Sequence, residues 1–164
     1  MKVTECLNTE HGVFLAQLGV LERMLIEEAP SGELRAVTLT IAQAVEKHRD
    51  AEEKILYPAI LREFGEGFPP IQVMEAEHEE IGRLIRGVAS GDGNVPQMVR
   101  GFIDVLRQHI GKEIKVLFPM AEQRIAGADL ERMACLCVEQ YHESAGVNPC
   151  EHGHQVRSGV ADGT

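Results

Sequence analysis

At 164 residues and 18.1 kDa, the chain has the length of one domain with a real core. Its 44% hydrophobic and 26% charged residues are the composition of a soluble globular protein. A formal charge of −10, four cysteines, no tryptophan and 4% aromatic residues argue against nucleic-acid binding, an anionic membrane surface and a disulfide scaffold. No apolar run reaches the ~18–20 residues of a bilayer span, and the start, Met1-Lys2-Val3-Thr4-Glu5-Cys6, has no apolar leader. With so few cysteines, a reducing cytoplasm is the expected compartment.

Four breaks divide the chain: Pro30-Ser31-Gly32, Gly65 to Pro70, Ser90 to Pro96, and Ala126 to Asp129. Between them the apolar residues recur at steps of three and four. The first stripe is Leu7, His11, Phe14, Leu18, Leu21 and Leu25. The second is Leu34, Val37, Ile41, Val45, His48, Glu52 and Ile55. The third is Ile71, Met74, His78, Ile81, Ile85 and Val88, and the fourth is Met98, Phe102, Val105, His109, Glu113, Val116 and Met120. Each is one face of an amphipathic helix. Ser31 and Asn94 are the expected N-caps of helices two and four. A shorter fifth helix from about Asp129 to Tyr141 turns Leu130, Met133, Cys137 and Tyr141 inward. The expected fold is all-α, an up-down-up-down four-helix bundle with a short fifth helix over residues 1–142. A glycine-rich, poorly ordered tail is expected over 143–164.

Six polar residues sit on the apolar stripes. His11, His48, His78 and His109 occupy one core-facing position per long helix. Glu52 and Glu113 each follow a histidine by four residues and so share its face. A lone core histidine is more often a packing residue than a ligand, and a lone His-Glu pair is usually solvated. All six on core stripes point instead to cations held between them, because an unpaired buried carboxylate is very costly. Imidazole and carboxylate donors suit iron, manganese or zinc. An internal repeat supports this reading. His48 to Pro58 matches His109 to Pro119 at the His, Glu, Lys, aliphatic, Leu, aromatic and Pro positions, and Glu10-His11 matches Glu77-His78. Pro58 and Pro119 are expected to kink or end their helices just past the site.

This set resembles the hemerythrin-like, or HHE cation-binding, family over roughly residues 5 to 125. The resemblance implies a non-haem di-iron centre with oxo- or hydroxo- and carboxylate-bridged Fe²⁺/Fe³⁺. His11, His48, His78 and His109 would be terminal ligands, and Glu52 and Glu113 would bridge. Two departures from the oxygen carriers stand out. Met74 takes the place of a further histidine, and the last acid is Glu113 at plus four, with Ile at 114, where the carriers place an aspartate at plus five. Six ligands make the site look more like iron-centre repair proteins and iron-sensing domains. The implied function is binding or processing of O2, NO or H2O2, with a small diatomic or peroxide as the partner. Iron donation to iron–sulfur centres, or sensing without turnover, are the alternatives, so enzymatic turnover stays open.

Leu7, Phe14, Leu15, Ile55, Ile81, Val105 and Val116 are expected to wall the site. Glu75, in Glu-x-x-His spacing with His78, is a candidate ligand, though a surface acid is the plainer reading. Glu27, Glu28, Glu53, Glu79, Glu80 and Glu131 read as solvated surface. Cys135-Leu-Cys137, His142 and Cys150-Glu-His152-Gly-His154 do not match a zinc motif. They read as one buried cysteine, one near the surface, and tail.

Overall fold

The computed structural model describes residues 1–143, with side chains to residue 138. Of the tail expected over 143–164, Glu143 is the last residue of α7 and the rest, with Cys150, His152 and His154, lies outside the described residues, as do the side chains of Tyr141 and His142. Among the described residues there is no strand. The order is α1 (Val3–Ile26), α2 (Ser31–Ala51), a π turn (Glu52–Leu56), α3 (Tyr57–Phe64), α4 (Pro69–Ser90), α5 (Val95–Lys112), a second π turn (Glu113–Leu117), α6 (Phe118–Arg124) and α7 (Gly127–Glu143). The backbone stays right-handed helical through each π turn, so α2 to α3 is one rod and α5 to α6 another. Rods and helices pack in a ring in chain order, α1 on α2, α2 on α4, α4 on α5 and α5 back on α1. The short fifth helix of the sequence reading is α7, which lies against α1.

Local chemistry sets the ends. Asn94 caps α5 as expected, its Oδ1 accepting the Gln97 N–H at 3.1 Å. Ser31 is not a cap: Pro30 takes that position and Ser31 is the first helical residue. α4 stops at Gly91, whose φ of 72° lies in the left-handed region that glycine tolerates.

The stripes of α1 and α4 are buried along their whole expected length. In the α2 rod the expected stripe holds down to Glu52, with Val37 only partly buried, and then slips by one residue. In the α5 rod Phe102, His109 and Glu113 are buried as expected, but Met98 is only partly so, and a slip again follows the carboxylate. A regular α period after Glu52 puts Ile55 inside, but Leu56 and Tyr57 are buried and Ile55 only partly so. After Glu113 the buried residues are Leu117 and Phe118, while Val116 is 48% exposed. The cause is the π turn. Tyr57 N–H donates to the Glu52 carbonyl and Phe118 N–H to the Glu113 carbonyl, closing i to i+5 rings that fit one extra residue into the turn. Pro58 and Pro119 follow at the second position of α3 and α6. Their missing N–H falls where the ladder changes from i+5 back to i+4, so the helices continue past them. In α5 the inward face is Val99, Phe102, Ile103, Leu106 and Ile110, with Val105 only partly covered.

The apolar core is two clusters. One holds Phe14, Leu18, Leu34, Ile41, Phe102 and Leu106. The other holds Val3, Leu7, Leu56, Ile60, Leu117 and Leu130, with Met133 and Cys137 of α7 closing it. Each buried histidine lies in sequence between a residue of one cluster and a residue of the other. The polar residues thus form a layer across the middle of the bundle.

Candidate metal centre

Burial first separates this layer from an ordinary polar patch. His11, His48, His78, His109, Glu52 and Glu113 are each at most 4% exposed, and both glutamates are fully buried. All six residues singled out in the sequence are brought together. Their atoms group as His11, His48, Glu52 and Glu113 on one side, and Glu52, His78 and His109 on the other, each group within reach of a single ion.

The histidines meet in two pairs through Nε2. His11 and His48 bring these nitrogens to 2.9 Å, and His78 and His109 to 3.1 Å. Each carboxylate touches both pairs. Glu52 lies 3.0 Å from His48 Nε2 through Oε1 and 3.3 Å from His78 Nε2 through Oε2. Glu113 Oε2 lies 3.2 Å from His11 Nε2 and 3.3 Å from His109 Nε2.

Three further carboxylates fix the rings from behind. His48 Nδ1 faces Glu10 at 2.6 Å, His78 Nδ1 faces Glu53 at 2.7 Å, and His109 Nδ1 faces Glu77 at 3.2 Å. Glu77 is itself held by Lys112. A carboxylate at Nδ1 keeps the proton there and leaves Nε2 as a bare lone pair. His78 and His109 both have such a carboxylate, so in their neutral form two lone pairs face one another at 3.1 Å and repel unless a proton or a cation lies between them. His11 and His48, whose Nε2 atoms lie 2.9 Å apart, are likewise close enough to be held by one ion between them.

The carboxylates give the same indication. Both Glu52 oxygens and Glu113 Oε2 are buried without a hydrogen-bond partner. Burial disfavours the Glu52 charge, but His48 above all, then His78 and His109, hold its pKa well below the ordinary value. Burial likewise disfavours charged imidazoles. The charge of Glu52 and the bond to Glu10 outweigh it and raise His48 to about 10, while bonds to Glu113 and Glu77 raise His109 to about 10. A divalent ion replaces those protons and satisfies the same oxygens, so the donor set fits a metal.

Two aromatic rings complete the layer. Tyr57 stacks on His78 and donates its hydroxyl to Glu113 Oε1 at 3.2 Å. Phe118 stacks on His11. A cavity of about 10 Å³ opens beside the four histidines, room for roughly one water-sized molecule. Val45, Ile81, Gly82, Ile85, Leu106 and Ile110 form its apolar wall, and Glu46 and Arg49 line it too. Of the wall expected from the sequence only Ile81 lines it. Phe14 flanks the site away from this cavity, its ring edge-on to His48 at 5.2 Å, whereas Leu7 is buried in the second cluster, Leu15, Ile55 and Val105 are partly buried, and Val116 faces outward.

Several residues depart from their sequence reading. Glu53 is not merely solvated surface, since it holds His78. Glu10 and Glu77 stood out only as a repeated Glu-His pair, and Tyr57 only as the aromatic of a repeat. The signal was present in that repeat, because Glu10 and Glu77 precede matched histidines, and Tyr57 and Phe118 are matched aromatics. Glu75 is exposed, as a surface acid would be, and lines an open groove with Arg49, Arg83 and Arg86. Met74 is buried one turn before His78. Cys137 is buried and Cys135 exposed, as expected. No helix among the described residues is long and apolar enough to cross a membrane.

Comparison with known proteins points the same way. The chain is 33% identical over 106 residues to proteins named iron-sulfur cluster repair protein YtfE from Escherichia coli, Citrobacter koseri and Escherichia fergusonii. The match covers 56% of this chain and 48% of each relative, so the chain spans about half the length of the curated relatives it matches. No solved structure matches it. The model of the hemerythrin HHE cation-binding domain matches residues 3–121, most of the chain and every residue of the buried His/Glu layer. The chain belongs to the hemerythrin HHE cation-binding domain family.

Proposed function

We propose that the centre is dinuclear non-haem iron and that it binds or processes a small oxidant or diatomic, O2, NO or H2O2. His11 and His48 would hold one ion, His78 and His109 the other, and Glu52 and Glu113 would serve both. The observation that carries this reading is that each carboxylate lies within 3.3 Å of one imidazole from each pair. Iron bound there supplies open coordination positions on a redox-active Lewis acid.

The chain's own residues do the rest. Glu10, Glu53 and Glu77 hold Nδ1 protons and so aim three Nε2 lone pairs inward. The cavity beside the histidines, mostly aliphatic with Glu46 and Arg49 in its lining, has room for a molecule of about water's size. Met74 withholds a further histidine, so six donors serve two ions and positions stay open on both. Residues 1–142 act as the functional domain.

The test is an anaerobic load of two equivalents of Fe²⁺ followed by air. New near-ultraviolet and visible charge-transfer bands are expected, decaying irreversibly rather than reversing under argon. Iron lost on desalting, with no bands, overturns the reading.

The relatives' name favours a second reading, donation of iron for repair of iron–sulfur centres. Transfer of iron from the loaded protein to an apo iron–sulfur protein supports donation. Vigorous peroxide turnover without transfer supports the first reading.

A further inference from the structure

The internal repeat maps one half of the centre onto the other, and the surroundings break that symmetry. Three of the four histidines have a carboxylate at Nδ1: His48 has Glu10, His109 has Glu77 and His78 has Glu53. His11 has none, and its Nδ1 is buried without a hydrogen-bond partner. Sequence gives the reason. Glu53 follows Glu52 directly, and the residue that follows Glu113 in the matched segment is Ile114, which has no proton acceptor. The Phe118 ring, parallel to His11 within 2° at 5.5 Å, fixes the plane of that imidazole but accepts no hydrogen bond.

A carboxylate behind a ligating histidine fixes its tautomer and raises its basicity, and losing one costs typically 10–100-fold in metal affinity. His78 and His109 both have this support. Of the other pair only His48 has it. The geometry points to two inequivalent metal positions, with the ion between His11 and His48 held more weakly and released first. This inference rests on the dinuclear reading above. It gives the centre a division of labour. One ion exchanges from the α1/α2 side, while the ion between α4 and α5 stays and keeps the buried carboxylates compensated.

Ile114 is 38% exposed and the Glu53 side chain 37%, so a glutamate at 114 has the same access to solvent that Glu53 has. The experiment loads the full chain anaerobically with two equivalents of Fe²⁺ and follows transfer to a Fe²⁺-chelating dye. In the parent protein half of the iron should leave about 10–100-fold faster than the rest. Ile114→Glu should slow that fast half toward the slow one. Glu53→Ile, which copies the His11 surroundings onto His78, should make all of the iron leave fast. Ile114→Gln serves in place of Ile114→Glu if circular dichroism shows that the latter does not fold.

A single release phase in the parent overturns the inference and leaves the dinuclear reading standing. So does a fast half that the folded position-114 variant leaves unchanged. Failure to take up two equivalents overturns both.

Discussion

Tyr57 and Phe118 hold equivalent places in the two halves of the bundle, yet only one of them reaches the polar layer with an oxygen. Tyr57 lies 5.8 Å from His78 at 10°, and Phe118 lies 5.5 Å from His11 at 2°. The Tyr57 hydroxyl donates to Glu113, whereas no hydroxyl faces Glu52 from the other side. Burial above all, then the charges of Glu52 and Glu113, keeps that phenol protonated well above its ordinary range, so it serves as a donor.

Tyr57→Phe should therefore cost about 1.5–3 kcal/mol of stability in the metal-free protein, the worth of one buried bond to a charged acceptor. It should leave the stacking on His78 in place. Denaturant melts of the metal-free variant and parent measure the difference. A loss above about 3 kcal/mol would mean that the ring, and not the hydroxyl, had been disturbed.

Metal removal has a larger expected effect. Two carboxylates without hydrogen-bond partners at three of their four oxygens are costly to bury, so an ion that satisfies them is also a folding ligand. At free metal about a thousandfold above its dissociation constant the gain is about 4 kcal/mol, a rise in Tm of roughly 10 °C or more. Chelator should abolish that rise, and Glu52→Gln should abolish both it and metal uptake. A Tm indifferent to Fe²⁺ and chelator would argue against metal binding here.

Met74 offers a gain-of-function test. It is 3% exposed on the face of α4 that carries His78. Met74→His returns an imidazole to the turn before His78 and should slow the decay of the charge-transfer bands in air. Optical lifetimes of parent and variant, loaded alike, decide it. An unchanged lifetime with an extra nitrogen ligand shown by spectroscopy would separate ligand count from oxygen stability.

The thiols give a prediction away from the metal. Burial, with Cys6, Glu10 and Glu52 adding to it, pushes Cys137 up to about 12 from an ordinary 9.0. At pH 8 about one part in ten thousand of it is thiolate. Iodoacetamide should therefore label exposed Cys135 and spare Cys137, read by peptide mass. Because the folded pKa is the higher one, Cys137's contribution to stability is whole below about pH 9. It is lost as the pH rises toward 12. Labelling of Cys137 at pH 8 at the rate of Cys135 would show that α7 opens.

The helices and the six buried donors were legible because both are periodic signals. Leu7 to Leu25 in α1 and Ile71 to Val88 in α4 obey the α repeat from end to end, and the structure buries them as written. The repeat fails where the helix itself departs from α geometry, beyond Glu52 and Glu113, and also within α5, where Val99 and Leu106 are buried in place of Met98 and Val105. No local propensity marks an i to i+5 turn, so Val116 was placed inside and Leu117 was not. Glu53 was misread for a related reason. It lies off the stripe, and the bond it makes is to a different helix, α4, which no spacing within its own helix reveals. Tyr57 was legible as half of a matched pair, but its hydroxyl's reach to Glu113 is a tertiary fact.

The two π turns also limit how this chain can be edited. Each adds a residue where a regular helix turns by about 100° per residue. Removing one residue from the Glu52–Leu56 stretch would give a better helix by local rules. It would also swing α3 about a quarter-turn, carrying Tyr57 off His78 and Ile60 out of its cluster with Leu7, Leu56 and Leu117. Length here is as strictly set as chemistry. The five residues that begin at each buried glutamate act as a spacer, and homologous segments exchanged between bundles would have to match in count before they match in composition.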